Sequence, residues 1–307
     1  MSSNAAFTGV LSPVVTPFDS DLNPDPQRWI THCRWLLSQQ CGLALFGTNS
    51  EANSLSVAER LSLLDEIAAS GLDMARMMPG TGACSIPDAV ELTGKAVDIG
   101  CGGVLMLPPF YYKGVSDEGL FGYYSEVIQR VGSHDLRIYL YHIPQVAQIP
   151  ISLALIERLL KEYPETVVGI KDSSGDWSNT QTMLERFDDF AVFAGSESFL
   201  LKTLQAGGAG CISATANINP AAIHDLYVNW RSDDADERQR STTAFRESIA
   251  QLPMIPALKA TIATVNGDDG WARVRPPLVE LDGAQRGTLD ALLKRHEFSM
   301  PGWGMGS

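Results

Sequence analysis

The sequence lacks the features of several protein classes. Its five cysteines are an odd number without CxxC spacing, and several lie in apolar runs, so we expect free, reduced thiols. Basic residues are scarce, because 23 Lys and Arg stand against 36 Asp and Glu, giving a formal net charge of −13. Nucleic-acid binding depends on clustered basic residues, so the charge balance argues against that class of partner.

Long apolar runs and common cofactor motifs are also missing. No stretch approaches the roughly 18 apolar residues of a membrane helix, so we expect no membrane association. The start, MSSNAAFTGVL, lacks the basic segment and long apolar core of a signal peptide, and we expect a cytoplasmic protein. GxGxxG, phosphate-loop, HExxH and GxSxG motifs are absent, and the five histidines are scattered. We therefore predict no metal and no organic cofactor.

The sequence does contain a repeated alternation of short apolar runs and longer amphipathic stretches. The runs recur about every 20 to 35 residues, which is the spacing that a strand–helix unit needs. Most are continuously apolar, as expected for parallel strands covered on both faces. The predicted strands are Val10–Thr16, Leu43–Gly47, Ala75–Gly80, Gly103–Leu107, Arg137–His142, Val167–Lys171, Ala191–Gly195 and Gly210–Ala214.

Helical patterns lie between these runs. Ser56 and Glu59 form a capping box that opens a helix over Val57–Ser70. Similar patterns predict the helices Asp117–Val131, Ser152–Tyr163, Ser198–Ala206, Asp233–Val265 and Gln285–His296. Eight strands, each followed by a helix, favour a (β/α)8 TIM barrel over residues 1–230 with a C-terminal helical extension over 231–307, forming one structural unit. A doubly wound open sheet is the alternative. The last residues, Pro301–Ser307, are predicted to be a loose tail.

Barrel enzymes carry their chemistry at the carboxyl ends of the strands. Lys171 closes the buried run VVGI, where desolvation would lower the pKa of its amine and free it as a nucleophile. Tyr141 lies at the equivalent height of the preceding strand, where its phenol could relay protons. The alternatives are that Lys171 only marks the end of the strand and reaches into solvent, and that Tyr141 is a half-buried tyrosine that packs against its neighbours. His142 points the other way by strand alternation, so we expect it to be structural.

Together these motifs resemble the dihydrodipicolinate synthase and N-acetylneuraminate lyase family, whose members are class I pyruvate aldolases. The resemblance runs from Pro13-Val-Val-Thr-Pro-Phe18 to Ile212-Ser-Ala-Thr-Ala-Asn217. Its most specific parts are the Gly47-Thr48…Glu51 loop, Tyr141-x-x-Pro144 and Gly169-Ile-Lys-Asp172, in the family's order and spacing.

The resemblance implies a role for each matching residue. Lys171 forms a Schiff base with a 2-oxo acid, so that the covalent imine replaces a cofactor. Tyr141 relays protons with help from the Thr48 hydroxyl, and Tyr112 enters the active site of an adjacent subunit, which implies a homotetramer built as a dimer of dimers. Thr48 and Asn49 hold the substrate carboxylate. The other implied substrate-binding residues are Ser173, Gly195, Glu197, Ile212 and Val146.

Departures from the family pattern bear on the substrate. Dihydrodipicolinate synthases carry an arginine that holds the second carboxylate of their substrate, where this sequence has Val146, and this difference disfavours recognition of aspartate semialdehyde. We therefore expect an aldolase that cleaves or forms a hydroxylated 2-oxo acid, giving pyruvate and an aldehyde, with 4-hydroxy-2-oxoglutarate or a 2-keto-3-deoxy sugar acid as substrate. Glu197 is interpreted either as a ligand for substrate hydroxyls or as a solvated loop acid. The alternative functions are a 2-keto-3-deoxy sugar acid dehydratase using the same imine, dihydrodipicolinate synthase itself, and a non-catalytic metabolite-binding or regulatory protein.

Overall fold

The computed structural model describes residues 7–303. Residues 1–6, part of the start for which no signal peptide is predicted, and residues 304–307 of the predicted tail lie outside the described residues. Within 7–303 seven strands alternate with helices. The strands are β1 (Gly9–Ser12), β2 (Gly42–Leu43), β3 (Val104–Met106), β4 (Ile138–His142), β5 (Val167–Asp172), β6 (Ala191–Ala194) and β7 (Gly210–Ile212).

Twelve α-helices are found in the same part of the chain. They are α1 (Pro26–Ser38), α2 (Val57–Ala69), α3 (Ile86–Asp98), α4 (Asp117–Val131), α5 (Pro144–Ala147), α6 (Leu153–Glu162), α7 (Trp177–Arg186), α8 (Leu200–Gln205), α9 (Pro220–Val228), α10 (Ala235–Ile249), α11 (Met254–Asn266) and α12 (Gly283–Arg295).

The strand predicted over Ala75–Gly80 is reduced to a single bridge. Gly80 pairs in parallel with Leu105, whose N–H donates to the Pro79 carbonyl at 2.9 Å. Pro79 itself has no N–H to offer a ladder. Upstream, the Asp73 carboxylate accepts the Ala75 N–H at 3.0 Å and starts a 3-10 turn over Met74–Arg76. These two local effects explain why the predicted strand is replaced by a turn and a bridge.

The predicted helices are found within a few residues of their bounds, and one predicted stretch is divided into two helices. The capping box before α2 is confirmed, since Ser56 N–H donates to Glu59 at 2.8 Å and Glu59 N–H donates back to Ser56 Oγ at 3.2 Å. The stretch Asp233–Val265 is mostly helical, as predicted, but it is not continuous, because the chain forms α10 and α11, which meet at 101°. Pro253 immediately precedes α11, and a proline cannot continue the hydrogen bonding of a preceding helix.

One compact unit comprises residues 7–9 and Asp73–Ile212. Its strands β3 to β7 lie side by side in sequence order and all run parallel. A hydrophobic core that includes Val104, Ile138, Ile170 and Val192 joins this sheet to the helices around it. The parallel order brings the carboxyl ends of β4, β5 and β6 to one edge.

The other compact unit comprises Val10–Leu72 and residues 213–303. Here β1 and β2 are parallel, with Leu11 opposite Gly42, and Trp29 and Trp271 are among the largest fully buried side chains. The start of the predicted loose tail is packed rather than loose. The Trp303 indole N–H donates to His32 Nδ1 at 3.0 Å. The predicted division at residue 230 stays a prediction.

No single helix in residues 7–303 is long and apolar enough to cross a membrane. Helices α10 and α11 pass the test of length and composition only when taken together as a bent pair.

Candidate active site

Lys171 and Tyr141 stand opposite each other on β5 and β4. The Lys171 Nζ lies 3.4 Å from the Tyr141 Oη and 4.4 Å from the centre of its ring. Lys171 is 2% exposed and Tyr141 3%. The alternative of a lysine that merely marks a strand end and reaches into solvent is therefore wrong. The pair brings an amine and a phenol together in a buried setting, which is what the predicted carbonyl chemistry requires.

The alternation of β5 separates Lys171 from its neighbour Asp172. Asp172 faces helix α7, where its Oδ2 accepts the Thr180 hydroxyl at 2.7 Å and the Asn179 amide at 3.0 Å. Its Oδ1 accepts the Ser174 N–H at 2.9 Å. Successive strand residues point to opposite faces, so Lys171 is directed to the other face of the sheet. The Asp172 contacts hold the end of β5 in place.

Aromatic rings lie along the strands beside Lys171. Phe193 on β6 is its register partner on the other side, and Tyr139 packs edge-on against Phe193 with ring centres 5.9 Å apart. Gly169 leaves room for this ring, because a Cβ there would lie 2.6 Å from Tyr139 Cδ1. Burial raises the pKa of the Tyr139 phenol to about 12, although that phenol accepts the Phe7 N–H. Both rings are buried, with Tyr139 1% exposed and Phe193 without exposed surface.

His142 has the structural role predicted from strand alternation. Its Nδ1 accepts the backbone N–H of Ile151 at 3.1 Å, which ties the end of β4 to the segment before α6. Burial lowers the pKa of His142, and the nearby Asp172 charge opposes that shift. Because Nδ1 accepts the Ile151 N–H, the ring proton lies on Nε2.

Ser173 and Gly195, both predicted to bind substrate, are brought into contact. The Gly195 N–H donates to the Asp172 carbonyl at 2.7 Å, and the Ser173 N–H donates to the His142 carbonyl at 2.8 Å. A Cβ at Gly195 would lie 2.7 Å from Ser173 Cα. Only glycine fits this approach of the segments that follow β5 and β6.

Glu197 and Ile212 are both buried. Glu197 is 1% exposed and opens a 3-10 turn over Glu197–Phe199, so the interpretation as a solvated loop acid is wrong. Ile212 ends β7 and has no exposed surface. Their proposed contacts with substrate stay predictions.

Val146 and Tyr112 are exposed instead. Val146 lies on the short helix α5 and is 59% exposed. Tyr112 is 75% exposed and its ring stands perpendicular to that of Tyr111, with centres 5.2 Å apart. The loop that carries the tyrosines is tied down by Lys113, whose amine donates to the Ala147 carbonyl at 2.8 Å. The role of Tyr112 in a neighbouring subunit stays a prediction.

Thr48 and Asn49 lie in the other compact unit, at the tip of a tight turn. The turn is a 3-10 segment over Thr48–Ser50, in which the Gly47 N–H donates to the Ser50 hydroxyl at 3.1 Å. Both residues are half-buried. The turn carries a hydroxyl, an amide and backbone N–H groups, which are the kinds of donor that bind carboxylates.

A buried charge network behind this turn was missed from the sequence. Glu51 accepts the Lys259 amine at 2.7 Å and the Arg275 N–H at 2.9 Å. Neither Glu51 nor Lys259 has any exposed side-chain surface. One signal in the sequence could have indicated it, because Lys259 is the only charged residue in the apolar helical stretch MIPALKATIATV. Lysine is almost never fully buried unless it is paired, so such a lysine predicts an acidic partner.

Comparison with known proteins decides the family. The model of the dihydrodipicolinate synthetase family matches residues 6–296.

The chain belongs to the dihydrodipicolinate synthetase family. A DapA-like lyase of Chloroflexus aurantiacus is 32% identical over 290 residues, covering 94% of this chain and 96% of the relative. The probable 2-dehydro-3-deoxy-D-pentonate aldolase YjhH of Escherichia coli is 28% identical over 264 residues, covering 84% and 85%. Membership of the dihydrodipicolinate synthetase family makes this chain an enzyme of the lyase class.

A solved structure of the family confirms the predicted fold. The crystal structure of dihydrodipicolinate synthase from Agrobacterium tumefaciens is 32% identical and matches with a TM-score of 0.87, covering 94% of this chain and 99% of that one. The chain therefore has the (β/α)8 barrel fold with a C-terminal helical part, as predicted, and the doubly wound alternative is wrong.

Proposed function

We propose that this lyase is an aldolase that cleaves a hydroxylated 2-oxo acid through an imine on Lys171. One observation carries the proposal: the buried Lys171 amine lies 3.4 Å from the phenol oxygen of Tyr141. A carbonyl nucleophile needs a neutral amine and a group that moves protons to and from the carbonyl oxygen. Neither metal nor organic cofactor is required for this chemistry.

The proposed steps balance without a further reactant. The amine adds to C2 of the 2-oxo acid, Tyr141 protonates the carbonyl oxygen, and water leaves to give an iminium ion. The C3–C4 bond then breaks as the C4 hydroxyl loses its proton, releasing an aldehyde while the electron pair moves into the iminium and forms an enamine. Protonation at C3 and hydrolysis of the imine release pyruvate and restore Lys171.

Two features support a 2-keto-3-deoxy sugar acid as the substrate. The Escherichia coli relative is named as a probable aldolase for such an acid. In this chain the residues assigned to the substrate are mostly uncharged, and Val146 offers no cation for a second carboxylate. The proposed roles are Thr48 and Asn49 for the C1 carboxylate, and Ser173 and Glu197 for the sugar hydroxyls.

A second candidate substrate, 4-hydroxy-2-oxoglutarate, carries two carboxylates, and one contact favours it. Arg246 on α10 donates to the hydroxyl of Ser213 at 3.2 Å, and Ser213 directly follows Ile212. An arginine near the end of a barrel strand is a suitable partner for a carboxylate. For this candidate, Arg246→Gln raises KM for the diacid and leaves KM for a 2-keto-3-deoxy sugar acid unchanged.

The proposal extends to assembly and location. A homotetramer in which Tyr112 reaches a neighbouring subunit agrees with the exposure of its ring. A cytoplasmic location agrees with the free cysteines among the described residues.

Product analysis tests the reaction. The chain is incubated with 2-dehydro-3-deoxy-D-pentonate and with 4-hydroxy-2-oxoglutarate, and pyruvate is measured together with the aldehyde. We expect pyruvate and aldehyde in equal amounts from at least one of them, and none from Lys171→Ala. A product that has lost water but kept the whole carbon chain would show that the enzyme is a dehydratase and not an aldolase.

A further inference from the structure

Glu51 and Lys259 form an ion pair without any exposed side-chain surface. The Lys259 Nζ lies 2.7 Å from Glu51 Oε1, although 208 residues separate the two in sequence. Lys259 projects from the fully buried side of α11, where Leu258 and Ile262 also have no exposed surface. The amine also lies 4.4 Å from the centre of the Phe18 ring.

Burying two charges in this way needs a reason other than stability. The desolvation cost of a buried pair often equals or exceeds the attraction, and well-packed apolar residues of similar volume are often at least as stable. Burial lowers the pKa of Lys259 to about 8, and the Glu51 charge opposes that shift. Such a pair is better suited to fixing the position of the backbone that carries it.

That backbone belongs to the Thr48–Ser50 turn. Glu51 follows the turn directly, and its N–H donates to the Thr48 carbonyl at 3.1 Å. Glu51 has a φ of 55°, in the left-handed region that is unfavourable for a residue with a Cβ. Its side chain accepts from Lys259 on one oxygen and from the Arg275 N–H on the other, so both contacts hold it in this conformation.

The neighbouring residues reinforce the same turn. The Thr16 hydroxyl donates to the Ser50 carbonyl at 2.7 Å, and the Ser50 hydroxyl accepts the Gly47 N–H. Arg275 is itself held by Glu59, with one guanidinium nitrogen 3.0 Å from a carboxylate oxygen, and by the Ser54 carbonyl at 2.7 Å. The turn is therefore anchored on both sides, while Thr48 and Asn49 at its tip stay half-buried.

We propose that the Glu51–Lys259 ion pair positions the Thr48–Asn49 turn so that its donors meet the carboxylate of the 2-oxo acid. This inference rests on the proposed function, in which that turn binds the C1 carboxylate. Glu51 and Lys259 are positioning residues, since they act through the turn and not on the reacting atoms.

The test compares two imine-forming compounds that differ in one charge. Pyruvate carries the carboxylate that the turn is to bind, and methyl pyruvate carries an uncharged ester. Borohydride trapping of each, as a function of its concentration, gives a half-saturating concentration. For Glu51→Gln we expect that value to rise about tenfold for pyruvate, the equivalent of about 1.4 kcal/mol, and to change less than twofold for methyl pyruvate.

Two further variants keep the test independent of a folding defect. Thr16→Val removes the other side-chain anchor of the turn without removing a charge, and we expect about a threefold rise for pyruvate alone. Arg28→Gln breaks a part-exposed ion pair with Asp25 and Asp268 in the same compact unit, and is a control for general destabilisation. Arg28→Gln should leave the ratio of the half-saturating concentrations of pyruvate and methyl pyruvate unchanged.

The outcomes separate the inference from the proposed function. If the wild type forms a trapped imine and the ratio of the two half-saturating concentrations is unchanged in both Glu51→Gln and Thr16→Val, the positioning role is overturned. The proposed aldolase function is not affected by that result. A parallel loss for both compounds shows that the pair only stabilises the fold, and also overturns the inference. No adduct with either compound in the wild type overturns the proposed function.

Discussion

Lys171 and Tyr141 are register partners on neighbouring parallel strands, and their amine and phenol lie 3.4 Å apart in a buried setting. Opposite residues of paired strands project to the same face, so this approach follows directly from the strand pairing. The assignment of a nucleophile and a proton relay therefore depends on β4 and β5 alone.

Tyr141→Phe removes the phenol and keeps the ring beside Lys171. Without a group to exchange protons with the carbonyl oxygen, the rate of imine formation should fall by a factor on the order of 10² or more. Single-turnover trapping of pyruvate measures the rate, and Tyr139→Phe, a phenol that binds the Phe7 N–H, is the matched control. A rate for Tyr141→Phe within twofold of the wild type would rule the relay out.

Val146→Arg should supply the cation that this chain lacks at that position. Val146 is 59% exposed, so a longer side chain fits without repacking the core. We expect KM for an aldehyde acceptor with a distal carboxylate to fall about tenfold, as a charge-assisted hydrogen bond would produce. Val146→Gln controls for side-chain length without charge. An equal gain in the two variants, or no gain with arginine, argues against charge recognition at this position.

Gly195→Ala tests the contact between the segments that follow β5 and β6. The added Cβ would lie 2.7 Å from Ser173 Cα and 2.8 Å from the Asp172 carbonyl oxygen, so the backbone must shift. We expect a loss of about 1–3 kcal/mol in the free energy of unfolding, with slower imine formation. Gly94→Ala, in α3 with nothing within 4 Å of the added atom, should instead stabilise the protein by about 0.5–1 kcal/mol. Equal stability of the two variants is the contrary result.

His32 should make stability depend on pH. Burial lowers its pKa from 6.5 to about 4, and the Trp303 indole donates to Nδ1, so the folded protein holds the neutral ring with its proton on Nε2. Between pH 6.5 and 4 the unfolded chain binds a proton that the folded chain does not. The contribution of neutral His32 to the free energy of unfolding is therefore fully present above pH 6.5. It is lost as the pH falls from there through about 4, by about 3 kcal/mol in total.

Urea unfolding at pH 7 and pH 5 measures this loss. We expect the wild type to lose more stability between the two values than His32→Gln, whose side chain does not titrate. The same change in both proteins would show that His32 does not cause the pH dependence.

Much of the fold could be predicted from the sequence because the deciding signals are local. Strand alternation directed Lys171 and His142 to opposite faces, and the capping box at Ser56 set the start of α2. The strand prediction at Ala75–Gly80 was wrong because the Asp73 cap starts a 3-10 turn there and Pro79 has no N–H for a strand ladder. These two local effects outweigh the preference of an apolar run for a strand.

The pair of Glu51 and Lys259 could not be predicted in the same way. The two residues are 208 positions apart, and nothing near either one in the sequence names its partner. The contact of Trp303 with His32 spans 271 positions and was missed for the same reason. Contacts of this kind depend on how the elements pack, which periodicity does not record.

Reduction with borohydride in the presence of pyruvate, followed by mass spectrometry of the digested protein, determines whether Lys171 forms the imine. We expect a reduced pyruvyl adduct on the peptide that contains Lys171, and no adduct in Lys171→Ala. An adduct on another lysine, or full trapping in Lys171→Ala, would contradict the assignment of the nucleophile. No adduct with pyruvate or with any longer 2-oxo acid would contradict the imine mechanism itself.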